Sequence, residues 1–564
     1  MTAAPEFTGF PASSTAREGI LPVSGTRRSR ARAAASSRAR RDRELLLVFI
    51  VGLVVYTALG WYGAYVLEIF NADGLARIAQ AHGVIFSRDP HLGALGFVWP
   101  PLPALTNVPL VTLLKPLGLP LLAGPIMSAI YSALALSVLC SILKKFGLGR
   151  AWRLAWVVAF GLQEMVIHNA TMGLSEAGFL AFLLFSLNGY VVWDSQQKVG
   201  GLIMAGFGAA LAIYCRYEGL AWVAIMTVAI VWRLCLNGFR PWAKIVEGTT
   251  LAFAIPIAWA LPIWMAVNWQ IQGNPFYFLV GAGATSNTPD TAKQVGIDHP
   301  FYYAYGSLSG SASLLLERIA HLSPLLLAAS AVLLIWVLSK RRWSALAYLA
   351  FAWSILGFTL AIAYAGILPP FSRYFFWAGP GGVIVAGATY HATGNPWTRR
   401  IIATATVGIA LYSAFMAPAE AWLKLPQDTE QRVITAVLVA PEAAGYTRPG
   451  AQLHEFKEIA GYLNSRPPGD LTIVDASLGS PLVFFLSRPN EIVLATDRDF
   501  FPILRDPVGN VGRILVPYPS FDSQGRSDVL GLYPDLYELG APWATLEREF
   551  PGPMRWRIYR VENP

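Results

Sequence analysis

The feature that most limits what this chain can become is a series of apolar runs separated by short basic clusters. A helix rises 1.5 Å per residue, so about 20 apolar residues cover the hydrocarbon of a bilayer. Runs of that kind fall at roughly 44–68, 119–143, 151–168, 174–194, 199–216, 219–237, 245–268, 313–339, 343–367, 372–392 and 399–418. Lys and Arg gather at every second connection: Lys144, Lys145, Arg150 and Arg153; Lys198; Arg233 to Lys244; Lys340, Arg341 and Arg342; Arg399 and Arg400. Positive clusters mark cytoplasmic turns. The alternation therefore predicts a multi-pass protein of the plasma or inner membrane with about eleven transmembrane helices, its N-terminus cytoplasmic and its C-terminus outside.

Composition agrees. With 55% hydrophobic and 14% charged residues, the chain has too little polar side chain to solvate a soluble surface of its size, so the bilayer is its first partner. The net charge of +9 does not point to nucleic acid, because Arg27, Arg28, Arg30, Arg32, Arg38, Arg40, Arg41 and Arg43 all precede the first run and serve orientation. That run is longer than a signal peptide's core and lacks a small-residue cleavage site, so it reads as a retained anchor. The Ser/Arg/Ala-rich tail 1–43 reads as disordered. Cys140, Cys215 and Cys235 lie in or beside apolar segments without disulfide or metal spacing and read as core thiols.

Beyond Trp422 hydropathy falls and short β-like runs appear at 471–474, 491–495, 513–516 and 555–561, between helical or Pro-rich stretches. The expected organisation is a basic tail, 1–43; a mainly α, polytopic helical bundle, 44–422; and a small extracytoplasmic α/β domain, 423–564. No repeat period or inverted pair of broken helices is visible.

The first outer loop, 69–118, is long enough to be functional. If Asn71 to Phe86 is helical, Asp73, Arg77 and Gln80 share one narrow face, while Leu75, Ile78, Ala79, His82 and Phe86 share the opposite one. Such a helix would lie flat on the membrane with its carboxylate aimed into the protein or the outer water. Pro100-Pro101-Leu102 opens a second short apolar element.

Several features now combine: an Asp after the first span, the interfacial helix, Pro100-Pro101-Leu102, the span ending at Lys144-Lys145, Gly173-Leu174-Ser175-Glu176-Ala177, Arg216-Tyr217-Glu218-Gly219, Gly273-Asn274-Pro275-Phe276 and Arg373-Tyr374. In order and spacing they resemble the C-type (GT-C) membrane glycosyltransferases over about residues 44–400. The likeness is to the branch holding protein O-mannosyltransferases and lipid A aminoarabinose transferases. Two departures stand out. Asp73-Gly74 lacks the second acid of the mannosyltransferases' Asp-Glu pair, and Ser372 stands where many relatives carry Glu before Arg-Tyr.

The resemblance implies transfer of a sugar from a polyprenyl-phosphate donor to an acceptor glycan, lipid or protein on the outer face, with inversion and with Asp73 as general base. An outer-face enzyme has no nucleotide sugars at hand, which independently suits a lipid-borne donor. Asp73 can also be read as a helix cap or as the i+4 partner of Arg77. Asp89 and Glu176 are candidates for a second acid or for acceptor binding, against readings as a turn residue and a helix-start carboxylate. For the carrier phosphate the candidates are Arg373, against a reading as the ion-pair partner of Glu218 or another acid, then Arg216 and Lys293, with Arg318 also near the outer face and Arg77 and Glu218 in support. A divalent metal is possible, although His168, His299 and His321 do not form a ligand set. The rivals are a transporter or flippase of envelope precursors, an O-antigen-ligase-like enzyme, and a non-catalytic scaffold for the C-terminal domain.

Overall fold

Each of the eleven apolar runs is helical over most of its length in the computed structural model, which describes residues 25–281, 300–424, 448–475, 479–519 and 527–562. In chain order the longer helices are α1 (Gly25–Trp61), α2 (Ala72–Phe86), α3 (Leu102–Leu114), α4 (Ala123–Lys145), α5 (Arg150–Gly161), α6 (Glu164–Thr171), α7 (Ser175–Gln196), α8 (Val199–Ile213), α9 (Gly219–Leu236) and α10 (Lys244–Gln272). They continue with α11 (Leu308–Leu322), α12 (Pro324–Lys340), α13 (Leu346–Tyr364), α14 (Ala378–Ala392), α15 (Pro396–Lys424) and α16 (Arg448–Asn464). Helix α1 starts upstream of the expected first span, in a segment rich in the strong helix formers Ala and Arg.

Among the described residues six helices are long and apolar enough to cross a bilayer, and a bent pair makes a seventh. Two expected spans are broken. The run 313–339 is the pair α11 and α12, bent by 105° at Ser323, because Pro324 has no N–H for a continuing helix and is suited to open a new one. The run 151–168 divides into α5 and α6 after Gly161, whose freed carbonyl accepts from Tyr56 Oη at 2.8 Å. Of the first span's apolar window only 17% is buried inside the protein, and Val51, Val54 and Leu59 are exposed. Apolar surface of that extent needs lipid as its solvent. The chain is a membrane protein.

The C-terminal part folds into a five-stranded mixed sheet of order β2-β1-β3-β5-β4, with β1 (Thr472–Val474), β2 (Ile492–Val493), β3 (Arg513–Val516), β4 (Ala544–Glu549) and β5 (Arg557–Val561). β1 pairs in parallel with β2 and β3, while β5 runs antiparallel to β3 and β4. β4 was not expected. It is an edge strand reading Ala-Thr-Leu-Glu-Arg-Glu and mostly exposed, so its charges hid it. The chain divides into two units, residues 1–47 and 48–564, and the sheet and the site below both lie in the second.

Helix α2 starts one residue after the expected position, and its polar face points into the protein. Its other face is covered as well: Leu75, Ile78, Ala79 and Ala81 belong to one buried cluster with Leu453, Phe456, Leu482 and Val483 of the C-terminal part. It is a packed element, not one lying on lipid by its apolar side.

Candidate active site

The site is assembled where three glycines touch. A Cβ added at Gly74 would meet the Met172 carbonyl oxygen at 2.1 Å. Gly173, at φ +71°, would there meet Gly124 at 3.0 Å and Gly74 at 3.4 Å. Without side chains, α2, α4 and the α6–α7 turn come into backbone contact, which brings the start of α2 to the turn ahead of Ser175 and Glu176. The same contact accounts for the missing second acid, since no side chain fits at position 74. Gly74→Ala should therefore destabilise the protein by about 1–3 kcal/mol, as overpacking does. Thermal unfolding of the detergent-solubilised variant checks this, and an unchanged midpoint would contradict the close approach.

The cap of α2 is Asn71, whose Oδ1 accepts from the Asp73 backbone N–H at 3.0 Å. Arg77 Nη1 bonds the Asp73 backbone oxygen at 3.3 Å, and its Nη2 donates to Ser175 Oγ at 3.2 Å. The Asp73 carboxylate is thus not the cap, and the hydrogen bond from Arg77 at i+4 goes to the Asp73 backbone oxygen. It accepts from Arg373 Nη2 at 2.7 Å, while Arg373 Nη1 reaches Asn71 Oδ1 at 3.3 Å.

Arg373 lies in the turn Ser372–Phe375 and its Nε is 3.5 Å from Glu176 Oε1. The same carboxylate oxygen accepts from Arg216 Nη1 at 2.6 Å, and Glu176 Oε2 accepts from Ser175 Oγ at 3.2 Å. Arg216 also donates to Glu218 Oε1, from Nε at 3.0 Å and from Nη2 at 2.5 Å. Three carboxylates and three guanidiniums drawn from four separate parts of the chain form one network. Aromatic rings back the cations: Trp99 lies 4.6 Å from the Arg77 guanidinium carbon, Tyr374 5.0 Å from that of Arg216 and Phe371 4.8 Å from that of Arg373. Burial pushes the Arg77 guanidinium below its ordinary pKa, while Asp73 and Glu176 oppose this.

The acids differ in access. The Glu176 side chain is 2% exposed, whereas that of Asp73 is 34% exposed. Glu218 lies between them at 17%, so among the described acids of the network Asp73 is the most open.

The other candidates sit elsewhere. Asp89 lies beyond the end of α2, and its carboxylate accepts from Arg498 Nε at 2.9 Å and from the Arg498 backbone N–H at 3.0 Å. Those bonds hold it well below the usual carboxylate range. Arg318, on α11, donates to Ser372 Oγ at 3.3 Å, so the residue in place of the relatives' Glu is buried against a cation. Lys293 and His299 lie outside the described residues. His168 is buried, and His321 contacts the Glu317 backbone oxygen at 2.9 Å. Among the described residues no three His, Cys, Asp or Glu side chains gather as a metal set. Sequence reasoning missed Asn71, Ser175, Trp99 and Tyr374, although Asn71 ahead of an apolar-periodic run carries the usual signature of a cap.

No family model and no curated protein matches the chain in sequence. In fold the chain does resemble solved structures. Over 94% of this chain and 100% of the other it is similar to ArnT from Cupriavidus metallidurans in the apo state, with a TM-score of 0.51 and 14% identity. It also matches the S. cerevisiae protein O-mannosyltransferase Pmt1-Pmt2 complex bound to the sugar donor (TM-score 0.32, 16% identity, 45% of this chain) and spans 37% of that chain's length. A third match is the archaeal oligosaccharyltransferase AglB from Archaeoglobus fulgidus in complex with an inhibitory peptide and a dolichol-phosphate (TM-score 0.44, 10% identity, 84% of this chain and 70% of that one).

Proposed function

We propose that this protein is an inverting glycosyltransferase that moves a sugar from a polyprenyl-phosphate donor to an acceptor hydroxyl at the outer face of the membrane. The observation that carries this reading is the half-open Asp73 carboxylate held 2.7 Å from Arg373 within a buried arginine network. Arg373 and Arg216 are both engaged by carboxylates, so a phosphate arriving at either competes with an acid for its guanidinium. Asp73 is the acid able to yield, because water or substrate can replace its partner, whereas Glu176 is buried between two arginines. Phosphate on Arg373 and Arg216 then leaves Asp73 free beside the sugar.

In the step itself the acceptor oxygen bonds to the anomeric carbon from the face opposite the phosphate. The carbon–oxygen bond to phosphate breaks with its electron pair, and Asp73 takes the hydroxyl proton. Glu176 and Glu218 hold the guanidiniums in place for the departing phosphate.

A lipid-borne donor also suits the flank of the site. A groove of about 790 Å³ runs between α8 and α10, lined by Phe207, Leu211 and Tyr214 on one side and Ile255, Trp259 and Ile263 on the other. It is apolar, and it reaches Tyr214, two residues before Arg216. A prenyl chain there would place its phosphate near the arginines.

The direct test is incubation of the purified protein with a panel of polyprenyl-phosphate hexoses and candidate acceptors, with release of free polyprenyl phosphate as the readout. Transport of intact lipid-linked sugar in vesicles, without release, would favour a flippase. On the same reading Asp73 faces the outside, so reporters fused after Arg342 and after Pro564 should mark opposite sides of the membrane. Equal cytoplasmic signals from both would contradict the orientation.

A further inference from the structure

Helix α2 is held by the C-terminal part at both of its ends and along one face. Four residues ahead of the helix, Glu68 adopts the left-handed backbone region at φ +51° and is bonded to Lys457, with His454 Nδ1 at 3.7 Å, both from α16. Just past the helix, Arg88 and Asp89 meet Asp497, Arg498 and Asp499 with the charges reversed. Arg88 Nη1 donates to Asp499 Oδ2 at 3.0 Å and Nη2 to Asp497 Oδ2 at 3.3 Å, while Arg498 holds Asp89 through its side chain and its backbone N–H. Between these ends the turn Ser480–Phe484 packs on the helix, and the Phe484 ring meets His82 edge-on at 6.1 Å.

We infer that the C-terminal domain is a clamp that sets the position of Asp73, with Arg88, Asp89, Arg498 and Asp499 as positioning residues for transfer. The inference rests on the reading of Asp73 as the base. A helix of 15 residues inside a loop has no span of its own to fix it. Its register against Glu176 and Arg373 depends on the glycine contact on the near side and on what grips it from the opposite side, and displacement of a reacting group by about 1 Å lowers rates by roughly 10²-fold. Isolated exposed ion pairs contribute little, but these contacts include a two-pronged guanidinium–carboxylate contact and form a network. Arg498 is 73% exposed on its side chain, so changing it leaves the core untouched, whereas Asp497 is buried and also accepts from the Leu494 N–H at 3.1 Å.

The test uses the full-length protein in lipid nanodiscs, unaltered and as Asp89→Arg, Arg498→Asp and the double exchange. Each single change sets like charges against each other, and the double restores the pair in reverse. Backbone hydrogen exchange over residues 72–86 should quicken by about 10-fold in the single variants and return part of the way in the double, which restores the side-chain pair but not the bond from the backbone N–H of residue 498. Turnover of a polyprenyl-phosphate hexose should fall by roughly 10- to 100-fold in the singles at unchanged donor KM, and recover in the double. Single variants that exchange like the unaltered protein, or that fail to recover in the double, would overturn the clamp. Exchange responding as expected in a protein that turns over no donor would keep the clamp and overturn the glycosyl-transfer reading instead.

Discussion

Asp73→Asn should lower transfer from a polyprenyl-phosphate sugar by roughly 10² to 10⁴, the usual worth of a positioned base. The substitution is nearly isosteric, and its amide oxygen still accepts from Arg373, so the network of Arg373, Glu176 and Arg216 keeps its geometry. What is lost is the ability to take a proton from the acceptor hydroxyl. Donor binding should persist or tighten, because Arg373 no longer has a charged partner competing with the phosphate. Folding should be unaffected at a side chain 34% exposed. Initial rates with purified protein and a donor binding isotherm separate these effects. An Asn variant with near-normal turnover would move the base elsewhere.

The second large effect concerns the phosphate. Arg373→Ala should weaken donor binding by roughly 10- to 150-fold, corresponding to about 1.5–3 kcal/mol for a hydrogen bond to a charged group. Arg373→Lys should lie between that variant and the unaltered protein. Lys restores the charge but not the flat, forked donor that reaches Asp73, Asn71 and Glu176 together. Glu176 stays paired with Arg216 in either variant, so the buried acid is not stranded. A binding isotherm with a polyprenyl-phosphate hexose reads the difference directly, and an affinity unchanged in the Ala variant would reject Arg373 as a phosphate ligand.

How far these features can be read from sequence depends on how local they are. The spans were legible because length and apolarity act within a single segment, and the basic clusters repeat at every second turn. The breaks at Gly161 and Ser323 were less so, since an apolar run looks the same whether it continues or bends. Asp73 and Arg77 could be placed on one face of α2 by periodicity alone. That Asp73 meets Arg373 across about 300 residues could not, because pairing at that separation is decided by which backbones can touch. The contact of Gly74, Gly124 and Gly173 brings α2 against the α6–α7 turn, and three isolated glycines carry no local signal. The partner of Asp89 was hidden for a related reason: its short-range context, Arg88 before it and Pro90 after, describes a turn, whereas Arg498 lies 409 positions further along the chain. β4 was obscured by its charges, which an edge strand exposes.

Buried Glu176 lies against two arginines, the glycine contact and the C-terminal part pack on α2, and Asp73 is the most exposed of the described network acids. The measurement that bears on this most directly is single-turnover reaction of the purified protein with a polyprenyl-phosphate hexose, following both the freed polyprenyl phosphate and the anomeric configuration of the product. The account predicts free polyprenyl phosphate in step with glycosylated acceptor, the configuration inverted, and the burst abolished in Asp73→Asn. A product of retained configuration, or donor that leaves the protein uncleaved, would contradict it.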